Sequence, residues 1–182
     1  MNSLIILDRD GVINFDSPDY IKSPEEWQPI PGSLEAIAKL NRLGFKVAVA
    51  TNQSGVGRGY YSFSTLEEIH QKMHQALAAC KGHLDLIAFC PHQPEDNCDC
   101  RKPKPGLIHN IAKHFNIILP DLRVFAIGDS LRDLEAAKAA GCQPILVLTG
   151  NGEKTLNKLP PSLSQTPVYK NLAEAVNALT HL

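Results

Sequence analysis

Five short apolar runs, at residues 4–7, 45–50, 84–89, 124–127 and 144–148, are each followed by a segment with helical spacing. Those segments cover 33–43, 65–81, 106–115, 131–140 and a last one from about Leu172. Apolar runs of four to six residues can form strands buried on both faces, and strands that alternate with helices imply right-handed crossovers in a parallel sheet. The expected fold is therefore α/β: a Rossmann-like parallel sheet with helices on both faces. Local punctuation agrees. Ser33 opens a segment in which Leu34, Ile37 and Leu40 recur at helical spacing, and Gly44 stops it. Ser64 with Glu67 makes a capping-box pattern, and Gly141 ends the helix that begins near Leu131. The stretch 149–167, rich in Gly, Asn and Pro, reads as a surface loop.

At 182 residues the chain is expected to form one domain, 1–182, that buries about 70% of the surface its unfolded form exposes. Eighteen Lys and Arg balance nineteen Asp and Glu, so no global field draws a polyanion. Nucleic acid and membrane are poor partners on that ground. The N-terminus has neither a signal peptide nor a membrane span, and a cytoplasmic monomer is expected. Five cysteines, an odd number, do not form a disulfide framework there. Cys80 and Cys142 stand alone and read as small buried or half-buried apolar residues.

In open parallel sheets, ligands sit beyond the carboxyl ends of the strands. The first run leads into Asp8-Arg9-Asp10-Gly11. Alternate residues of extended chain face the same side, so both carboxylates can address one cavity, where a hard divalent cation would hold them ionised. By itself this pattern is also what a turn Asp beside a solvated Asp looks like. Three further features narrow the choice: Thr51-Asn52-Gln53-Ser54 after the second run, the basic Arg101-Lys102-Pro103-Lys104 before a helix, and Gly128-Asp129-Ser130-Leu131-Arg132-Asp133 after the fourth run.

In this order the motifs resemble those of the haloacid dehalogenase superfamily of phosphohydrolases, over essentially the whole chain. The resemblance implies that Asp8 is the nucleophile of an aspartyl-phosphate mechanism and Asp10 the general acid and base. Thr51 and Lys102 would hold the phosphoryl oxygens, although Lys104 competes for the lysine role. Mg2+ would sit on Asp8, the Asp10 carbonyl and Asp129, with Asp133 reaching it through water or orienting Lys102. Only twenty-two residues separate Asp10 from Ser33 and twelve separate Thr51 from Ser64, so no cap domain fits in either gap.

Cys90-Pro91-His92 and Cys98-Asp99-Cys100 together offer three thiolates and an imidazole, a closed tetrahedral set for structural Zn2+. This zinc-binding loop would anchor the Arg101-Lys102 segment. The run Ser54-Gly55-Val56-Gly57-Arg58-Gly59 lacks the order of a P-loop or a dinucleotide site. It is either a flexible connection or a place where backbone amides and Arg58 meet an anionic sugar. With the zinc loop, it is similar to the sugar bisphosphate phosphatases of the superfamily; histidinol-phosphate phosphatases share the loop. The resemblance places Asp16, Ser17, Tyr20, Gln53, Ser54, Arg101 and Ser130 around a phosphorylated sugar, joined by Arg9, Asn52 and Arg58. Two rivals are a zinc-stabilised binding module without activity and a phosphatase of nucleic-acid ends. The presence of Asp8, Asp10, Thr51, Lys102 and Asp129 together counts against the first and the balanced charge against the second.

Overall fold

The computed structural model describes residues 3–180. Strands β1 (Leu4–Leu7), β2 (Lys46–Asn52), β3 (Leu86–Cys90), β4 (Val124–Gly128), β5 (Gln143–Val147) and β6 (Val168–Tyr169) form one sheet in the order β3-β2-β1-β4-β5-β6. Every pairing is parallel. Helices α1 (Ser33–Arg42), α2 (Ser54–Gly57), α3 (Phe63–Ala79), α4 (Gly106–His114), α5 (Leu131–Ala140), α6 (Gly152–Leu156) and α7 (Leu172–Leu179) make up the connections.

Period-two alternation divides each strand between two cores. Ile5 and Leu7 face a cluster with Leu34, Ile37 and Leu40 of α1, Ile69 and Met73 of α3, and Val176 of α7. Leu4 and Ile6 face the opposite cluster, with Leu107 and Ile111 of α4 and Ala137 of α5. Strand β1 is therefore buried on both sides, which is why its sequence is apolar without alternation.

The strand order reverses between β1 and β4, whose register pairs Leu7 with Ile127. Chain leaving β1 turns one way and chain leaving β4 the other, so a crevice opens between their carboxyl ends. Asp8 and Asp129 stand there. The segments after β1 and after β2 hold a 3-10 turn, Pro24–Glu26, and the short α2, with no cap domain among the described residues.

Two local expectations need correction. Helix α3 begins at Phe63, and its N-cap is Ser62, whose side chain accepts a hydrogen bond from the Thr65 amide at 3.0 Å; Ser64 lies inside the first turn. The sequence offers serines at both 62 and 64, and the Phe63, Leu66, Ile69 and Met73 spacing is consistent with the earlier start. The stretch 149–167 is also more than a loop. It contains α6 and a 3-10 turn, Pro161–Leu163, whose Leu163 packs with Leu134 and Leu146. Elements this short carry no periodicity of their own; packing forms them. Strand β6, two residues long, went unread for the same reason.

Replacing Ser62 with Ala should cost about 1 kcal/mol of unfolding free energy, the usual worth of a side-chain N-cap, and Ser64→Ala should cost much less. Urea denaturation of the two variants measures the difference.

Candidate active site

Lys102 is the buried centre of the crevice, 4% exposed. Its ammonium donates to the Ala50 carbonyl at 2.7 Å and to Asp133 Oδ1 at 2.5 Å, and lies 3.0 Å from Asp8 Oδ1. These contacts match the three donors of a lysine. Burial works to lower its pKa, but Asp133 and Asp8 outweigh that and raise it, so the charge is permanent. Lys104 instead reaches the carbonyls of Cys98, at 2.8 Å, and Asn97. The geometry thus puts Lys102, of the two candidates, beside Asp8.

Asp8, Asp129 and Asp133 bring their carboxylate oxygens within 4.8 Å of one another. Three anions face one ammonium. Burial, then repulsion from Asp133, Asp129 and Asp10, pushes Asp8 up to about 8 against the opposing pull of Lys102. Burial and Asp133 push Asp129 up to about 7, opposed by the Asn151 amide. Such an excess of negative charge fits a hard cation with oxygen bonds of about 2.1 Å. Asp133 is committed elsewhere: Oδ1 to Lys102, Oδ2 to the Ser130 amide at 3.0 Å and hydroxyl at 2.6 Å. Asp129 Oδ2 accepts from the Asn151 amide at 2.7 Å. The Asp10 carboxylate lies outside this group.

The Asp10 carboxylate accepts from Arg9 Nε at 3.0 Å and Nη2 at 3.1 Å, from Asn14 Nδ2 at 2.9 Å and from Gln53 Nε2 at 2.9 Å. Gln53 Nε2 also donates to Thr51 Oγ1 at 2.9 Å. Arg9 is 0% exposed and Thr51 1%, and neither lines the cleft. Arg9 was expected to touch substrate. Its guanidinium is folded beneath the floor of the site, where its neighbour's carboxylate holds it.

The cleft, about 440 Å³, is lined by the other expected residues: Asp8, Asp10, Asp16, Ser17, Tyr20, Asn52, Gln53, Ser54, Arg58, Arg101, Lys102, Asp129 and Ser130. Asn52 does double duty, exchanging two 3.0 Å hydrogen bonds with the backbone of Lys102. Sequence reasoning missed Arg132 and Asn151, which also line it. Asn151 bridges Asp129 to Asp16, donating to Asp16 Oδ2 at 3.0 Å. The signal was there in Gly150, whose φ of +59° suits glycine and where a Cβ would meet Asp129 Oδ2 at 2.2 Å.

Cys90, His92, Cys98 and Cys100 converge as a second group. Cys98 Sγ lies 3.6 Å from the Sγ atoms of Cys90 and Cys100, His92 Nδ1 lies 3.5 and 3.4 Å from the same two sulfurs, and all four atoms are within 4.8 Å of one another. A tetrahedral ion with bonds of about 2.3 Å to sulfur and 2.0–2.1 Å to nitrogen requires separations of about 3.8 and 3.6 Å. The four atoms are therefore arranged for one ion, and no two sulfurs approach the 2.05 Å of a disulfide. The loop also docks on the Ser54–Gly57 turn: the Gly57 amide donates to the Pro91 carbonyl at 3.0 Å, and a Cβ on Gly57 would meet that oxygen at 2.5 Å. Arg101 Nη1 donates to the His92 carbonyl at 3.1 Å.

A family model described as HAD-hydrolase-like matches residues 99–175. A Pseudomonas aeruginosa protein named D-glycero-beta-D-manno-heptose-1,7-bisphosphate 7-phosphatase is 52% identical over 177 residues, 97% of each chain. Its namesake in Neisseria meningitidis is 50% identical, over 94% of this chain and 91% of that one. The crystal structure of D,D-heptose 1,7-bisphosphate phosphatase from Bordetella bronchiseptica, complexed with magnesium and phosphate, superposes with a TM-score of 0.93 at 51% identity, covering 98% of both chains. The chain belongs to the haloacid dehalogenase-like phosphatases. As a member of that family it is a phosphoric monoester hydrolase, and its carboxylate cluster lies in a fold that in the Bordetella relative carries magnesium. No helix among the described residues is long and apolar enough to cross a membrane.

A haloacid dehalogenase-like phosphatase with this charge excess should respond to pH in a particular direction. Between the ordinary carboxylate value of 3.8 and the raised values of about 8 for Asp8 and about 7 for Asp129, the folded chain keeps protons that the unfolded chain releases. Stability of the chelator-treated protein should therefore fall as pH rises from 5 to 8. Saturating Mg2+ should flatten that slope, and urea denaturation with EDTA or with Mg2+ at the two pH values reads both effects.

Proposed function

We propose that this phosphatase removes the 7-phosphate of D-glycero-β-D-manno-heptose 1,7-bisphosphate through an aspartyl-phosphate on Asp8. The observation that carries the reading is the pairing of two differently held carboxylates at one crevice. Asp8 sits against a permanent ammonium, and Asp10, two residues on, is fixed by Arg9, Asn14 and Gln53. Names of relatives at 50–52% identity supply the substrate and its β anomer, which the sequence alone left open.

In the first step an Asp8 oxygen bonds to phosphorus while the ester P–O bond breaks, and Asp10 gives its proton to the departing sugar oxygen. In the second, Asp10 takes a proton from water whose oxygen attacks the same phosphorus, returning inorganic phosphate and a free Asp8 carboxylate. Lys102, 3.0 Å from Asp8 Oδ1, lies within reach of the oxygens of a phosphoryl group carried there. Thr51, expected to hold the phosphoryl oxygens through its hydroxyl, instead lies beneath the floor and acts through Gln53, whose Nε2 donates to its Oγ1. Mg2+ bound by Asp8, Asp129 and the Asp10 carbonyl would supply positive charge against the developing charge on the phosphoryl oxygens. Asp133 orients Lys102 by a direct ion pair.

Around the reacting centre, Asp16, Ser17, Tyr20, Asn52, Gln53, Ser54 and Ser130 would contact the sugar, while Arg58 and Arg101 offer guanidinium forks to the second phosphate. Arg9 is removed from that set and becomes a support for Asp10. One Zn2+ on Cys90, His92, Cys98 and Cys100 would fix the loop that carries Arg101 and Lys102 and that braces the Arg58 turn. The whole is one domain.

kcat/KM for phosphate release should favour the β-anomer of heptose 1,7-bisphosphate over the α-anomer and over histidinol phosphate. About a hundredfold over the latter, some ~2.7 kcal/mol of transition-state discrimination, would be decisive. Asp8→Asn should be inactive. Preference for histidinol phosphate would overturn the substrate, and an active Asp8→Asn would overturn the mechanism.

The protein as purified should contain one zinc per chain by elemental analysis. Cys98→Ser with Cys100→Ser should lose it and lower kcat/KM on the bisphosphate by about tenfold or more, the order seen when metal-site support is lost.

A further inference from the structure

Arg9 is a buried cation with no access to water, and its partners divide into two sides. On the cleft side Nε and Nη2 grip the two oxygens of Asp10. On the inner side Nη2 donates to Gln53 Oε1 at 3.1 Å, and Nη1 lies 3.2 Å from His70 Nε2. An arginine in a protein does not lose its proton, so His70 Nε2 must be the acceptor, with the ring proton on Nδ1. Tyr61 donates to the same Gln53 oxygen at 2.7 Å. His70 occupies the inward face of α3 among Leu66, Ile69 and Met73, a place where an apolar side chain would pack without a desolvation cost.

The charged and titratable groups around His70 are Arg9 and, behind it, Asp10 from the loop after β1, whose charge opposes that of Arg9, and Glu67 and His74 from its own helix; Phe89 of β3 covers its ring at 6.1 Å between centroids. Burial and then the Arg9 guanidinium push His70 down to about 3. Both effects keep His70 neutral, as an acceptor for Arg9 Nη1 requires.

We infer that His70 is a positioning residue for the proton-transfer chemistry of Asp10. By accepting from Arg9 Nη1 it fixes the plane of the guanidinium, and that plane fixes both oxygens of the Asp10 carboxylate at the mouth of the cleft. A leucine there would fill the space and leave Nη1 without its partner, and the cheapest repair is a rotation of Arg9 that turns Asp10 away from the leaving oxygen. This rests on the reading of Asp10 as general acid and base. A positioned acid matters for an ester whose departing alkoxide needs a proton, and little for p-nitrophenyl phosphate, whose phenolate leaves without one.

The test compares wild type, His70→Leu, His70→Gln and Asp10→Asn on heptose 1,7-bisphosphate and, in single-turnover release of p-nitrophenol, on p-nitrophenyl phosphate. General acid–base catalysis is worth about 10²–10⁴ in rate, so partial misplacement in His70→Leu should lower kcat on the sugar ester by about tenfold or more. KM should change by less than about threefold and p-nitrophenol release by a similarly small factor. His70→Gln, whose Oε1 can accept from Arg9, should keep most of the activity. Equal losses on both esters, a change confined to KM, or a His70→Gln as impaired as His70→Leu would each overturn the inference. Asp10→Asn separates the two layers: if it shows no greater loss on the sugar ester than on the aryl ester, the general-acid reading itself falls, and the inference with it.

Should His70→Leu not fold, His70→Ala with added imidazole makes the same comparison. A cavity of about 510 Å³, lined by Phe63, Leu66, Glu67, His74, Ile87 and Phe89, opens onto His70 and gives imidazole a route. Recovery of kcat on the sugar ester with imidazole supports the inference, and equal rates with and without it overturn it.

Discussion

The buried ammonium of Lys102 is the interaction on which the rest of the site depends. An unpaired charge in that position would cost several kcal/mol, and it is tolerated because three oxygens from separate parts of the chain meet it. Ala50 belongs to β2, Asp8 follows β1 and Asp133 lies on α5. A single cation thus ties the end of the central strand, its neighbour and a helix of the outer layer. The arrangement also leaves a surplus of anions, since Asp129 adds a third carboxylate. The surplus is unfavourable in the protein alone and becomes an asset when a divalent cation and a phosphate arrive together.

Around this centre, the polypeptide works mainly to hold two neighbouring carboxylates in different environments. Asp8 is pressed against Lys102, with its own Oδ1 also accepting from the Arg9 amide at 2.7 Å. Asp10 is pulled aside by Arg9, Asn14 and Gln53, and 22% of its side chain stays exposed to the cleft. Arg9 holds Asp10 from beneath, which explains why a cation set between Asp8 and Asp10 in the sequence is not itself offered to the cleft.

The cysteine and histidine loop adds a second layer of control from outside the sheet. Of its four convergent side chains Cys90 is set by the end of β3 and the other three by the loop itself, whose backbone bonds to both the Ser54–Gly57 turn and Arg101. With no cap domain over the crevice among the described residues, the cationic groups that could read a second anion are carried by these loops, and their placement is only as good as the loop's rigidity.

The sequence by itself determined the parallel α/β sheet, because strands buried on both faces must be apolar throughout and helices covering them must repeat at 3.6 residues. It also marked Asp8, Asp10 and Asp129, which fall where strands end, and the Cys90, His92, Cys98 and Cys100 cluster, whose chemistry shows in its residue types. Tertiary structure alone decided which lysine is buried, since Lys102 and Lys104 differ only in which carboxylates and carbonyls come to meet them. It decided that Arg9 and Thr51 lie beneath the floor, that Asn151 returns across the sheet to Asp129, and that His70 stands behind Arg9. The last two contacts join residues 22 and 61 positions apart, and nothing local to either encodes the partner. Short elements such as α6 and β6 were decided the same way, by packing on the already formed sheet.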